Sequence, residues 1–343
     1  MKAIVKNNDQ AGSYEVRDIP KPTAKEGMVL VQVKATGLCY TDMSILNGQY
    51  KGRKPVPVPM VMGHEGAGIV AEVGDRVRSL APGTRVGFEA LSGCGECYNC
   101  RTGNKNMCTN WDHLGITYDG TFADYVLVPA ALVHPLPDNV ELADAAILEP
   151  LSLVVRSIEH LQPSVGESAV IVGPGSVGLL HLQALNAAGV SRLIVIGLDV
   201  DKHRFEIAKR LGATHIVNAS HDDPVEAVKA ATGGRGADMV IETASSPKVW
   251  DFLLELAAAK GRVSTFGLYP ESSFKPLTVL RNGLTIFGDV AFVQRHFMRA
   301  ISWLESGKIS GQALVTRRFR FDDAAEAFET FRAKETVKCL FEA

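Results

Sequence analysis

The stretch Ala169–Gly178, Ala-Val-Ile-Val-Gly-Pro-Gly-Ser-Val-Gly, constrains the fold of this chain more than any other. A β-prone apolar run, Ala169 to Val172, enters a glycine turn, and an apolar helical pattern follows from Val177. Gly173, Gly175 and Gly178 stand at the G-x-G-x-x-G spacing of a dinucleotide-binding βαβ unit. In such a unit the first glycine permits a tight turn and the second lets backbone approach a pyrophosphate. The third lets helix and strand pack closely. The first helical residues, Ser176 and Val177, then offer free N–H groups and a positive dipole end to the phosphates. A second β run, Leu193 to Ile196, ends near Asp199, about 20 residues further on, where an acidic side chain meets the adenosine ribose hydroxyls. The plainer reading of Asp199 is that it starts the helix expected from about Lys202 to Leu211. Arg204 could lie near a 2′-phosphate, but it stands within the helix and Asp199 at the strand end, so NAD is expected over NADP.

Around this turn, β runs alternate with helical patterns over residues 153–289, the signature of a parallel sheet covered on both faces. Further strands are expected near His215–Val217, Met239–Glu242, Arg262–Phe266 and Leu284–Phe287, with helices such as Pro224–Ala231 and Lys248–Ala258 between them. The expectation is α/β: a six-stranded, doubly wound Rossmann domain. Ligands bind such sheets at the carboxyl ends of the strands. Thr243 and Ala244 end one strand and Phe266 and Gly267 another, so these turns should line the nicotinamide side. Residues 1–152 read differently. Short β runs, among them Ala3–Val5, Met28–Lys34, Ala67–Glu72, Arg85–Gly87 and Tyr125–Val128, are separated by Gly, Pro and Asp turns in a barrel-like or sandwich-like pattern. The segment 290–343 has helical stretches at Arg295–Glu305 and Ala324–Arg332 and a β run at Lys338–Phe341. At 343 residues the chain fits two domains.

Cys94, Cys97 and Cys100 follow one another at C-x-x-C spacing, and Cys108 follows after a seven-residue spacer. Four thiols on one glycine-punctuated loop, with no histidine among them, make a closed tetrahedral S₄ site. Zn²⁺ fits it and would be structural. Iron–sulfur ligation is the rival, but a proline after the last cysteine and the cysteines of a second cluster are missing. Clustering of this kind does not suit a secreted disulfide framework. No apolar run spans a bilayer and the N-terminus lacks a signal-peptide core, which points to the cytoplasm. A net charge of −2 argues against nucleic acid or an anionic membrane as partner.

A second metal constellation is dispersed. Cys39-Tyr-Thr41-Asp42 follows a β run and Gly63-His64-Glu65 precedes another. One thiol, one imidazole and one carboxylate are the three-ligand count of a catalytic zinc with an open position. Singly, a cysteine or histidine is more often packed than ligating; the conjunction makes the case.

Gly63-His64-Glu65-Gly66-Ala67-Gly68, the four-cysteine lobe and the later glycine turn, in that order, resemble the zinc-containing medium-chain alcohol and polyol dehydrogenases over essentially the whole chain. The resemblance implies a GroES-like β-rich catalytic domain (1–152 and 290–343) holding two zinc ions and a Rossmann domain (153–289) binding NAD. It matches Cys39 and His64 to catalytic-zinc ligands and Glu65 to the adjacent carboxylate, a direct ligand in the polyol branch and elsewhere sometimes held off the metal. Thr41 matches the hydroxyl of the proton relay and Asp42 the carboxylate orienting the zinc-bound histidine. Glu149, in Glu149-Pro150-Leu151-Ser152, matches a glutamate beside the catalytic metal, either bound to it or holding its water. The implied reaction is hydride transfer between a secondary alcohol (polyol, sugar derivative or small diol) and NAD, in a homo-oligomer, tetramer or dimer. An NADP-dependent aldehyde or ketone reductase is the enzymatic rival, and a non-catalytic relative the rival of another class.

Two departures from the family pattern matter. Ser44 stands where relatives commonly carry a relay histidine, so the proton path should end in water or another group. Ile45 stands where polyol-oxidising relatives have a tyrosine, and Ala291 and Phe292 replace an arginine–tyrosine pair. An apolar wall of Ile45, Leu46, Phe88 and Phe292 is therefore expected to favour a smaller or less hydroxylated substrate, unless Tyr118 or Arg156 restores polar contacts. His181, His203, His296 and Cys339 are expected in packing or surface roles.

Overall fold

The computed structural model describes residues 1–269, 271–288 and 290–342 and divides into two compact units. Met1–Ser152 together with the segment from Ala291 onward forms one, and Leu153–Val290 forms the other. Asp289, at the expected domain boundary, lies outside the described residues. Among the described residues no helix is long and apolar enough to cross a membrane.

The second unit is built on a six-stranded, all-parallel sheet in the order His215–Asn218, Arg192–Gly197, Ser168–Val172, Ala237–Glu242, Ala257–Thr265, Thr285–Gly288. The chain runs outward from Ser168–Val172 in one direction, then returns to its other side, so the strand order reverses beside the glycine turn. The five residues of Ser168–Val172 are all buried, and Ala169–Val172 are the continuous apolar run that a strand covered on both faces requires. Val170, Ile194, Val240, Leu253 and Val263 share its core. The doubly wound expectation is met, with one correction. Lys248–Ala258 is not a helix: two 3₁₀ turns, Pro247–Asp251 and Leu253–Leu256, lead into a strand that begins at Ala257. Phe252 between them has φ −128° and ψ −16°, outside helical geometry, and Leu253, Leu254 and Leu256 are all buried. The non-helical backbone at Phe252 interrupts the run, and the early strand start lets Ala257 pair with Ala237.

The first unit is β-rich, as expected. Its largest sheet runs Val133–Pro135, Arg85–Phe88, Glu65–Val73, Met28–Gly37, Lys338–Glu342, Val315–Phe319, with Tyr125–Pro129 also pairing to Met28–Gly37. A smaller sheet joins Tyr14–Asp18, Lys2–Lys6 and Met60–Val61. The terminal strand Lys338–Glu342 lies antiparallel against Met28–Gly37, with Leu340 opposite Gly37. This pairing carries the end of the chain to the place where Cys39 leaves the sheet.

Candidate metal centres and dinucleotide site

Cys39 stands two residues beyond the strand Met28–Gly37, as the N-cap of the helix Tyr40–Leu46. Glu65 opens the neighbouring strand Glu65–Val73, where it pairs with Gly37, and His64 stands just before it. The register therefore brings together residues 25 positions apart in sequence, and one ligand atom each of Cys39, His64 and Glu65 lies within 4.8 Å of the others. Gly37 makes room for this. A Cβ there would fall 2.2 Å from Glu65 Oε2, so no larger residue fits opposite the buried glutamate. Asp42 serves both the helix and the histidine: Oδ2 accepts the Cys39 backbone N–H at 2.9 Å, and Oδ1 lies 3.2 Å from His64 Nδ1. With Nδ1–H donated to Asp42, Nε2 is the nitrogen left for a metal.

The electrostatics of this donor set call for a cation. Burial opposes a charge on His64, yet Asp42 and Cys39 outweigh it and hold the ring's pKa well above the ordinary value. A zinc ion among the same groups would take the place of that proton. Glu149, half-buried, is pushed up to about 7 by desolvation, with His64 pulling it down and Glu65 pushing it up. It feels the centre's field but is not one of the three residues whose ligand atoms converge. Thr41 and Ser44 are half-buried and one turn apart on the same short helix.

Three residues near this centre went unread in sequence. Lys338, 2% exposed, forms an ion pair with Glu65 and donates to the Leu38 carbonyl at 3.2 Å. A lysine inside the apolar run Val337–Phe341 was the available signal. His113 packs edge-on to His64, with ring centroids 5.5 Å apart, and donates Nδ1–H to Leu114 O at 2.8 Å. Burial and the charge on His64 lower its pKa to about 3, so it is neutral. Tyr50, raised by burial and lowered by His64, also stands in the field of the centre. Nothing local marks either.

The expected apolar wall is corrected. Ile45, Leu46, Phe88 and Phe292 are each at most 2% exposed. Ile45 and Leu46 belong to one core cluster and Phe88 to another, because the short helix and its neighbouring strands need these side chains as packing surface. Tyr118 packs against the Phe88 cluster, and Arg156 belongs to the second unit.

The four clustered cysteines converge in the same way, each sulfur within 4.8 Å of the rest. Cys97 and Cys108 Sγ are 3.8 Å apart. Four sulfurs around zinc at about 2.3 Å would stand about 3.8 Å from one another, so the spacing fits a tetrahedral ion. Backbone N–H groups point at the sulfurs, from Cys94 and Asn110 to Cys108 and from Cys97 to Cys94, at 3.3–3.4 Å. Such donors favour thiolates. Lys105, within the loop, reaches buried Glu89 at 2.5 Å, and His134 meets the same carboxylate at 3.0 Å. These contacts anchor a lobe with little apolar surface of its own.

In the second unit, Gly173 has φ +101° and donates to Ile196 O at 2.9 Å. Gly175 caps the helix Ser176–Ala187, whose first residues are Ser176 and Val177. A Cβ on Gly178 would lie 2.1 Å from Gly173 O. Thr243 Oγ1 is held between Val172 O at 3.0 Å and Gly173 O at 2.8 Å. Asp199 follows the strand Arg192–Gly197 and accepts from Asn218 Nδ2 at 2.9 Å, with Lys202 and His221 beside it. These donors, Asn218 first and Lys202 next, lower its pKa to about 2. Arg204 pairs with Asp201 at 2.8 Å. The ring of Phe266 meets His181, which with His296 is buried in packing.

Residues 25–138 match the family model described as alcohol dehydrogenase GroES-like domain, and residues 176–306 match that described as zinc-binding dehydrogenase. L-threonine 3-dehydrogenase of Bacillus velezensis is 36% identical over 99% of this chain and 98% of its own length. The chain belongs to the zinc-containing medium-chain dehydrogenases. It is an alcohol oxidoreductase of a zinc- and NAD(P)-using family. Two solved structures, each 30% identical and covering 100% of this dehydrogenase and 99% of their own chain, share its fold. One, from Sinorhizobium meliloti 1021, holds NADP (TM-score 0.92). The other, a short chain alcohol dehydrogenase from Escherichia coli CFT073, is complexed with NADH (TM-score 0.91).

Proposed function

We propose that this dehydrogenase interconverts a small secondary alcohol and its ketone with NAD, at a zinc ion held by Cys39, His64 and a carboxylate from Glu65 or Glu149. A second zinc would be held by Cys94, Cys97, Cys100 and Cys108. The observation that carries the reading is the meeting of Cys39, His64 and Glu65 within 4.8 Å. When bound, the catalytic zinc supplies Lewis acidity that makes a substrate hydroxyl acidic near neutral pH, and NAD supplies the hydride acceptor.

The chain's own residues supply orientation and proton handling. Asp42 fixes the tautomer of His64. Lys338 offsets the charge of buried Glu65. Thr41 and Ser44 offer successive hydroxyls along one helix face, and because serine does not titrate near neutrality the proton path ends in water or another group. The turn Gly173–Gly178 receives the pyrophosphate, with Thr243, Phe266 and Gly267 on the nicotinamide side. Asp199 is ionised far below neutrality, which suits ribose hydroxyls and repels a 2′-phosphate. Arg204, paired with Asp201, supports the same preference against the competing NADP reading. The 36% identity to an L-threonine 3-dehydrogenase supports a small substrate.

The reading includes a catalytic domain of residues 1–152 and 290–343, a cofactor domain of 153–289, and a cytoplasmic homo-oligomer without nucleic-acid or membrane partners. The test is metal analysis together with NAD reduction on L-threonine, 2,3-butanediol, sorbitol and xylitol. Bound zinc and higher kcat/KM on the first two are expected. Absence of zinc, or of turnover on every secondary alcohol, overturns the function; clear preference for sorbitol or xylitol overturns the substrate class.

A further inference from the structure

Glu242 ends the strand Ala237–Glu242, is fully buried, and takes no part in the chemistry described above. Its Oε1 accepts the backbone N–H groups of Ala244 at 2.8 Å and Ser245 at 3.1 Å. Its Oε2 accepts the N–H of Gly267 at 2.8 Å and the hydroxyl of Tyr269 at 3.3 Å. That hydroxyl in turn receives the indole N–H of Trp250. One carboxylate therefore joins the turns that leave two adjacent parallel strands, at their carboxyl ends. The glycine turn reaches the same place, since a Cβ on Gly173 would lie 2.8 Å from Ala244 Cα. At Gly267 a Cβ would lie 2.4 Å from Glu242 Oε2 and 2.4 Å from Tyr269 Cε1, so the seat of the carboxylate requires glycine there.

We propose that Glu242 is a positioning residue for the nicotinamide half of the dinucleotide. It locks the turns Thr243–Ser245 and Phe266–Gly267 against each other, so their backbone groups face the ring as one preformed surface. This rests on the reading above that these two turns line the nicotinamide side. All four partners of Glu242 donate, an arrangement two carboxylate oxygens satisfy. A carboxamide has one acceptor oxygen, and its NH₂ would oppose the N–H groups of one turn. Glu242→Gln thus frees one turn with little change in volume, while Gly173–Gly178 and Asp199, on other strands, keep the adenosine half.

The experiment titrates NADH and ADP-ribose, which lacks the nicotinamide, into the zinc-loaded full chain carrying the native residue, Glu242→Gln or Gly267→Ala. For Glu242→Gln the NADH Kd should rise about 10–100-fold, the loss of a charge-assisted hydrogen bond. The ADP-ribose Kd should stay unchanged, and Trp250 emission should shift as Tyr269 loses its acceptor. Gly267→Ala, whose methyl group displaces the carboxylate without removing it, should give the same split. Equal weakening of both ligands, or of neither, overturns the inference. If Glu242→Gln does not fold, the Gly267→Ala split decides alone. If the native chain binds ADP-ribose but gains nothing from the nicotinamide, the reading of the two turns fails and this inference with it.

Discussion

Lys338 and Glu65 form an ion pair in which neither side chain exceeds 2% exposure. Replacing Lys338 by Met keeps most of the stem's volume but strips the partner from a buried carboxylate. Burial alone would lower the lysine's pKa, and the charges of Glu65 and Cys39 more than reverse this, so the ammonium is bound to its site by those groups. Breaking a buried pair on one side costs about 3–5 kcal/mol, because the remaining charge is left uncompensated. For a unit of roughly 200 residues each kcal/mol moves the midpoint by about 2–4 °C, so Lys338→Met should lower the first unit's Tm by about 6–20 °C. The assay is calorimetry on metal-free protein, which removes any compensation of Glu65 by zinc, with Glu65→Gln added in a double-mutant cycle. The double variant should recover part of the loss, since a carboxamide carries no charge to strand. A shift below about 2 °C, or a double variant less stable than the sum of the single changes, would refute the reasoning.

The two metal centres should fail separately. Cys97→Ser should lose one metal equivalent and destabilise the lobe it closes, because a structural zinc contributes folding free energy outright. His64→Ala should remain folded and bind NADH without turnover; a stable, fully metallated Cys97→Ser or an active His64→Ala would contradict the assignments. Asp199→Ser should raise kcat/KM with NADP relative to NAD by roughly tenfold, about 1.4 kcal/mol of relieved repulsion. An unchanged cofactor ratio would show that the carboxylate does not meet the ribose.

What the sequence alone made legible lies within short spans of chain. The turn Gly173–Gly178 and the run from Cys94 to Cys108 are readable because a few residues carry all their determinants: turn geometry, close approach, and the reach of four thiols on one loop. The doubly wound sheet was legible for a similar reason, since period and apolar content are local properties of each strand. Tertiary structure decided whatever depends on two strands meeting. Lys338 faces Glu65 only because the terminal strand pairs with Met28–Gly37, and no pattern within either segment announces it. His113 beside His64, and Glu242 spanning to Gly267, have the same origin. The leucines of Lys248–Ala258 suit a helix in isolation, whereas the backbone break at Phe252 and the pairing of Ala257 with Ala237 make 3₁₀ turns and an earlier strand. Likewise Ile45, Leu46, Phe88 and Phe292 are core residues because the elements around them needed packing surface. Apolar character in a sequence says that a side chain leaves water; which neighbours it meets is settled only when the chain has closed on itself.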